Sequence, residues 1–245
     1  VGIYRIKPFL LSRGNNVIDY AIITHSDKDH TSGLLDIINE GSIKVRHLIL
    51  PDITAKDEAY IRLEELARQK NIAVSYISAG DSIRDGDILI SCLHPREGYN
   101  PANSNAYSTV LSLEFHNFSM LLTGDVEEDG EILVIEQLSK VRDGGKEGIG
   151  VGYINHIHEN DIPAYDILKV AHHGSRNSTS AEFLSYVRPR TAIISCGLDN
   201  RYGHPHKELI KRLDEAESDV FITYESGAVT VRTDGKRILV EEYLK

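Results

Sequence analysis

Two periodicities of apolar and polar positions run through this chain, and the switches between them mark out its elements. Asp19 to Thr24 is a short apolar run that reads as a buried strand. From Thr31 onward Leu and Ile recur at helical spacing as far as Gly41, a residue suited to a helix C-cap. Val45 to Leu50 is a second apolar run, closed by Pro51. Between Ala55 and Lys70, Tyr60, Leu63, Leu66 and Ala67 share one stripe, which predicts an amphipathic helix. Ile72 to Ile77 and Ile88 to Leu93 read as strands joined by a turn-rich link from Gly80 to Gly86. Thr109 to Phe115 and Phe118 to Thr123 flank His116-Asn117 and predict a hairpin.

Glu127 to Lys140 has helical spacing, and Asp143-Gly144-Gly145 then opens a polar, Gly-rich stretch. That stretch reads as an insertion at about 141–163 within a single domain spanning 1–245. Beyond it come a strand at Ile167 to Ala171, a helix from Ser180, a strand at Ala192 to Cys196 and a helix from Pro205. Three short strands (220–224, 228–232 and 237–241) close the pattern. Strands both alternate with helices and pair in hairpins, which predicts an α/β protein of two mixed sheets with helices outside.

The polar residues that interrupt this pattern cluster where strands end. His25-Ser26-Asp27-Lys28-Asp29-His30 follows the apolar Ala21-Ile22-Ile23 and packs four potential metal ligands into six residues. Side chains two apart share a side where a strand frays into a loop, so such ligands can converge. Buried-competent imidazoles and carboxylates need partners, and a divalent cation satisfies several at once. Leu121-Leu122-Thr123-Gly124-Asp125 ends the next strand in a carboxylate. Leu168-Lys169-Val170-Ala171-His172-His173-Gly174-Ser175 ends another in two His, a Gly and a Ser. Asn200-Arg201-Tyr202-Gly203-His204-Pro205-His206 follows a fourth. A Gly-Asp after a strand is by itself a turn, but open α/β sheets place their sites at strand termini, and these endings come in order. His156-Ile157-His158 also has ligand spacing, yet no carboxylate pattern accompanies it and its flanks are loop-like, so it reads as surface loop.

Composition narrows the class. Hydrophobic content of 41% and charged content of 26% are those of an ordinary globular protein, and no apolar stretch reaches the length of about 18 residues that spans a membrane. Only Cys92 and Cys196 occur, each in a strand-like run, which predicts buried free thiols. A net charge of −10 excludes a protein coated in positive charge, but residues 166–212 carry +4, a local hint of an anionic ligand.

These residues resemble the metallo-β-lactamase superfamily, in which a His-x-His-x-Asp-His run, a later Asp and a last His hold two metals. Within it the chain is most similar to the C-terminal extracytoplasmic domain of the competence protein ComEC family. That family has His-x-Asp-x-Asp-His, Leu-Thr-Gly-Asp, Leu-Lys-Val-x-His-His-Gly-Ser and Tyr-Gly-His-Pro motifs, and all four are present across residues 19–212. The family's opening strands, with Asp-Val-Gly-Gln-Gly-Asp and Ile-Asp-x-Gly, have no counterpart here. The chain therefore reads as a fragment beginning mid-fold, with Val1 to Leu11 matching the helix after those strands.

The resemblance implies an αβ/βα sandwich and two divalent metal ions, His25 and Asp27 on one, Asp29, His30 and His204 on the other, and Asp125 bridging. The superfamily's further His has no counterpart near Asn103-Ser104-Asn105, where Asn105 or Ser108 stands in its place. Asp27 where the superfamily has His makes the site oxygen-rich, which favours Mn²⁺, with Zn²⁺ next. His172, His173 and Ser175 are the candidate catalytic residues, for phosphate binding and protonation of the leaving oxygen. Arg176, Arg201 and Lys207 are candidates to guide a phosphate backbone. The expected function is a metal-dependent phosphodiesterase or nuclease in which two metals activate water, degrading DNA during natural transformation. The expected partners are DNA and the transmembrane channel region of a longer protein, at the extracytoplasmic membrane face. The competing readings are a hydrolase of small or cell-wall phosphodiesters and a degenerate nucleic-acid-binding module.

Overall fold

The computed structural model describes residues 1–99, 103–142 and 165–244. In chain order the strands are β1 (Val17–Ile22), β2 (Lys44–Pro51), β3 (Ala73–Ile77), β4 (Ser82–Asp85), β5 (Ile88–His94), β6 (Val110–Phe115), β7 (Phe118–Leu122), β8 (Tyr165–Lys169), β9 (Pro189–Ile194), β10 (Asp219–Ile222), β11 (Val229–Thr233) and β12 (Ile238–Glu242). The α-helices are α1 (Lys7–Ser12), α2 (Lys28–Glu40), α3 (Glu58–Gln69), α4 (Glu128–Arg142), α5 (Ala181–Val187), α6 (Lys207–Glu215) and the single turn α7 (Thr223–Ser226). A wide helical turn over Gly2–Ile6 leads into α1, so the first residues are helical as expected.

The strands form two main sheets, as the periodicity predicts, with a separate β11–β12 hairpin. The smaller sheet, β1-β2-β3, is parallel throughout. The larger, ordered β10-β9-β8-β7-β6-β5-β4, is mixed: antiparallel from β4 to β7 and parallel from β7 to β10. Strand alternation sorts the apolar side chains into layers. Leu48 and Leu50 pack with Ile37, Ile38, Tyr60 and Leu63 of α2 and α3 outside the small sheet. Between them in sequence, Ile49 faces the other way and meets Ile77, Cys92 and Leu111 between the sheets. On the large sheet Leu121 packs under α4, α5 and α6 with Val134, Phe183 and Leu209, while Leu122 joins the middle layer. Helix, sheet, sheet and helix are thus stacked as in the expected sandwich, with side-chain period two deciding which layer each residue enters.

Three local differences from the sequence reading have physical causes. The link at 80–86 contains β4, a short edge strand whose only apolar anchor, Ile83, packs in the middle layer; one Ile among Ser, Arg and Asp shows no alternation. Helix α2 begins at Lys28 rather than Thr31, with Asp27 as N-cap, so Asp29 and His30 lie on its first turn. Both cysteines are free, but only Cys92 is buried and Cys196 is half-buried. Most of the proposed insertion, including His156 and His158, lies outside the described residues. Among the described residues, no helix is long and apolar enough to cross a membrane.

The segment between β8 and α5 is held by a buried carboxylate and a half-buried guanidinium. Glu131 of α4 accepts the backbone N–H groups of Thr179 and Ser180, the latter at 2.9 Å. Arg212 of α6 donates to the carbonyls of Thr179 (3.0 Å), Ser178 (2.9 Å) and Arg176 (3.1 Å). Burial pushes the Glu131 carboxyl upward, and the N–H groups of Ser180 and Thr179 oppose the shift. Removing the acceptor leaves one buried and one half-buried donor unpaired, so Glu131→Ala is expected to lower unfolding stability by about 2 kcal/mol in urea denaturation. A change below about 0.5 kcal/mol would mean that the segment is held by other groups.

Candidate metal centre

Four chain segments meet where the two sheets come together at the carboxyl ends of β1, β7, β8 and β9. The Thr109 N–H donates to the Thr24 carbonyl at 2.8 Å, fastening the β1 end to the start of β6. Ser26 is held by the Tyr107 hydroxyl, with Oγ to Oη at 2.7 Å, and donates to Asp57. At the β7 end, Gly124 has φ +52, and a Cβ there would meet Ser108 Oγ at 2.2 Å and Thr24 Cβ at 2.9 Å. A glycine lets the chain turn between these neighbours and aim Asp125 inward. At the β8 end His172 (φ 43, ψ 50) and His173 (φ 54, ψ 17) are successive left-handed residues. Each costs of order 1–3 kcal/mol, and the strain sends the two imidazoles in different directions.

Asp29, His30, Asp125 and His173 converge, each offering a ligand atom within 4.8 Å of the others. His30 Nε2 lies 3.2 Å from Asp125 Oδ2 and 3.7 Å from Asp29 Oδ2. His173 Nε2 lies 3.1 Å from Asp29 Oδ2 and 3.6 Å from Asp125 Oδ2. His173 Nδ1 is 2.6 Å from the Ser195 carbonyl, an acceptor only, so Nδ1 carries the proton and the Nε2 lone pair faces the carboxylates. A lone pair and carboxylate oxygens repel unless a proton or cation lies between them. Asp125 is buried, which acts to raise its pKa, yet the hydrogen bond and charge of His30 and the charges of His173 and His25 hold it well below the carboxylate range.

Beside this cluster is a second, less complete one. The His25 ring is fully buried, with Nδ1 near the hydroxyls of Thr24 (3.1 Å) and Ser108 (3.2 Å). Its Nε2 has no hydrogen-bond partner and lies 3.8 Å from Asp27 Oδ2. Burial first, then the neighbouring His30 charge, lowers the His25 pKa to about 4, which keeps the ring neutral and able to bind a cation. Asp125 Oδ1 is likewise buried without a partner. Orphaned polar atoms of this kind cost about 1–3 kcal/mol each, and a cation beside them would satisfy them. The Asp29, His30, Asp125 and His173 donor set therefore fits a divalent metal ion, with His25 and Asp27 beside it.

The structure rearranges several sequence assignments. His173, expected as a catalytic residue, stands in the carboxylate cluster, and His204, expected as the last ligand, does not. The His204 ring instead lies 5.4 Å from that of His172 and 6.4 Å from that of His173. The cause is the double left-handed turn, which brings the later His of the pair inward. His204 is lowered to about 4 by burial and by the charges of His172, His206 and His173. Ser175 is buried, and its Oγ accepts the Asn177 N–H at 3.2 Å. The N–H groups after Gly174 are also engaged, Arg176 by His206 Nδ1 and Thr179 and Ser180 by Glu131, and none is free for an anion. Ser108 supports His25 and accepts the Asp125 N–H at 2.8 Å, while Asn105 Oδ1 is buried and unpartnered.

Sequence reading missed Glu127. Its Oε1 lies 2.8 Å from His172 Nδ1, and this contact raises the His172 pKa against the effect of burial. The spacing Asp125-Val126-Glu127, two carboxylates on one side of a strand end, was the available signal.

The layered fold with a His- and Asp-rich centre at its strand ends defines a metal-dependent hydrolase class, and comparison with known proteins identifies it. The metallo-beta-lactamase superfamily model matches residues 2–198, and the chain belongs to that superfamily. Its curated relatives are competence proteins of the ComEC family. It is 32% identical over 225 residues to ComE operon protein 3 of Bacillus subtilis, covering 92% of this chain and 26% of that protein. It is 29% identical over 241 residues to Recombination protein 2 of Haemophilus influenzae, covering 97% of this chain and 25% of that protein. The chain thus spans about a quarter of the length of these relatives. The fold is shared with CmlA, a diiron beta-hydroxylase from Streptomyces venezuelae, at a TM-score of 0.51 and 14% identity, over 84% of this chain and 43% of that one.

The place of His173 in the cluster, and of His204 outside it, has a direct consequence for binding. Calorimetric titration of chelator-stripped protein with Mn²⁺ is expected to show affinity falling more than about 100-fold in His173→Ala and less than about tenfold in His204→Ala, supporting residues costing 10–100-fold at most. The reverse order would restore His204 as a ligand.

Proposed function

We propose that this domain is a metal-dependent phosphodiesterase that cuts DNA, with Mn²⁺ the favoured metal and Zn²⁺ the alternative. The observation that carries the reading is the carboxylate–imidazole cluster with an ion-paired histidine, His172, beside it. Asp29, His30, Asp125 and His173 would hold one cation, and His25, Asp27 and Asp125 the other. Three carboxylates among six ligands make a harder donor set than the superfamily's histidine-rich one, which supports manganese. When bound, two such ions supply water of lowered pKa and charge stabilisation for in-line displacement at phosphorus.

The chain's own residues do the rest. The Ser195 carbonyl fixes the His173 tautomer, and Thr24 and Ser108 orient His25. Glu127 holds His172 through Nδ1, leaving Nε2 to protonate the departing oxygen. His204, kept neutral by burial, lies against His172 on the outer side of the cluster and would position a phosphate oxygen together with Lys207. Kinship with competence proteins supports DNA as the substrate, and the net positive 166–212 segment supports an anionic polymer. In that role the domain would act at the extracytoplasmic face, as part of a longer protein whose membrane region carries a DNA channel.

Protein loaded with Mn²⁺ is expected to cut single-stranded DNA in a gel assay, to lose activity with chelator and to regain it with Mn²⁺. Asp125→Asn should lower turnover by roughly 10³-fold, the scale of removing a centrally placed electrostatic group. Cleavage of a small aryl phosphodiester with all DNA left intact would refute the DNA part and favour a small-molecule phosphodiesterase. Unchanged turnover in Asp125→Asn would refute the bridging role.

A further inference from the structure

The peptide that holds His173 is itself held, by a residue that lies beyond the span 2–198 matched by the superfamily model. Strands β9 and β10 run parallel, and their ladder stops at the pair Ile194 and Ile222, where β10 gives way to the single turn α7. One residue further on, the Thr223 side chain takes over the pairing. Its Oγ1 accepts the Cys196 N–H at 3.0 Å and donates to the Cys196 carbonyl at 2.9 Å. The Cys196 N–H belongs to the same peptide group as the Ser195 carbonyl, which accepts the His173 Nδ1–H at 2.6 Å. Thr223, this peptide and the His173 ring therefore form one chain of hydrogen bonds. It ends at the His173 Nε2 lone pair, 3.1 Å from Asp29 Oδ2.

The chemistry of this chain sets the side chain required at position 223. A hydroxyl both accepts and donates, so it can satisfy an N–H and a carbonyl of one residue, whereas a methyl group satisfies neither. The branch at Cβ restricts χ1, so the hydroxyl is held toward Cys196 at little cost in rotamer freedom. Donation from the Cys196 N–H polarises its peptide and makes the Ser195 carbonyl a stronger acceptor for His173. That support matters at His173 because its own backbone is left-handed (φ 54, ψ 17) and strained. Behind Thr223, the turn α7 is fastened to the closing hairpin. Ser226 Oγ donates to Glu242 of β12, and the Ser226 carbonyl accepts the N–H groups of Tyr243 and Leu244, each at 3.0 Å.

We propose that Thr223 is a positioning residue of the metal centre, its hydroxyl fixing the Ser195–Cys196 peptide and, through it, the ring that presents Nε2 to the cation. The link from ring to cation rests on the reading of His173 as a ligand given above; the link from Thr223 to the ring rests on the hydrogen bonds alone. Groups that hold a metal's ligands alter its affinity about 10–100-fold, and Thr223, one peptide further out, is expected at the lower end.

The test separates the two links. In chelator-treated protein with isotope-labelled histidine, the His173 Nδ1–H resonance is identified by its loss in His173→Ala, and its exchange with water is measured. Thr223→Val keeps the shape and removes the hydroxyl, so exchange should be about tenfold faster, the scale of one lost hydrogen bond. Thr223→Ser, which keeps the hydroxyl, should stay within about threefold of wild type. Backbone N–H groups of β9 should keep their wild-type rates in the same samples, which a general loosening of the fold would not allow. In calorimetric titration, Mn²⁺ should bind Thr223→Val about tenfold more weakly and Thr223→Ser within about threefold of wild type. Wild-type exchange at Nδ1 in Thr223→Val, or equal acceleration along β9, overturns the brace. Faster exchange with unchanged Mn²⁺ affinity in Thr223→Val overturns the positioning role. If His173→Ala also binds Mn²⁺ as wild type does, the reading of His173 as a ligand falls with it.

Discussion

Carboxylates and imidazole lone pairs placed within a few ångströms of one another, in a partly buried pocket, need a positive charge among them. Asp29, Asp125, His30 and His173 are in that position, and Asp125 is almost fully enclosed. Taking such groups out of water costs several kcal/mol unless they are paired, and the protonated histidines that could pair them in the absence of metal compete with burial. The rest of the molecule is arranged around that constraint. Both sheets end at the site, and their joint is fastened by the Thr109 N–H and hydroxyl, which both donate to the Thr24 carbonyl, rather than by further charge.

The supporting structure is where the folding cost lies. Two successive non-glycine residues in the left-handed region, His172 and His173, are tolerated because the segment after them is over-determined. Glu131 and Arg212 hold that segment from two helices, and Gly174 lets the 203–206 loop approach, since a Cβ there would meet Pro205 Cβ at 2.6 Å. The apolar layers outside the large sheet bring α4, α5 and α6 into register, so packing energy from Leu121, Phe183 and Leu209 is what keeps the strained turn in place.

Much of this was legible in the residues, and what was not follows from geometry that spacing does not encode. The two mixed sheets could be read because strands both alternate with helices and pair in hairpins, and the candidate metal site because His25, Asp27, Asp29 and His30 put four ligand groups at one strand end. Strand β4 was missed because a single Ile gives no period. Which of His172 and His173 turns inward depends on two φ angles, and residue type alone does not reveal them. Ser175 follows Gly174, but the N–H groups between it and α5 have protein acceptors, which residue types do not reveal. Glu127 was overlooked beside the more conspicuous Asp125, although its two-residue spacing was in view.

The most direct measurement of the central claim is anomalous diffraction at the manganese edge from crystals of the Mn²⁺-loaded protein. The account predicts a peak enclosed by Asp29, His30, Asp125 and His173, a second beside His25, Asp27 and Asp125, and His204 outside coordination distance of both. A peak bound by His204 in place of His173, or no peak among the four clustered side chains, would contradict it.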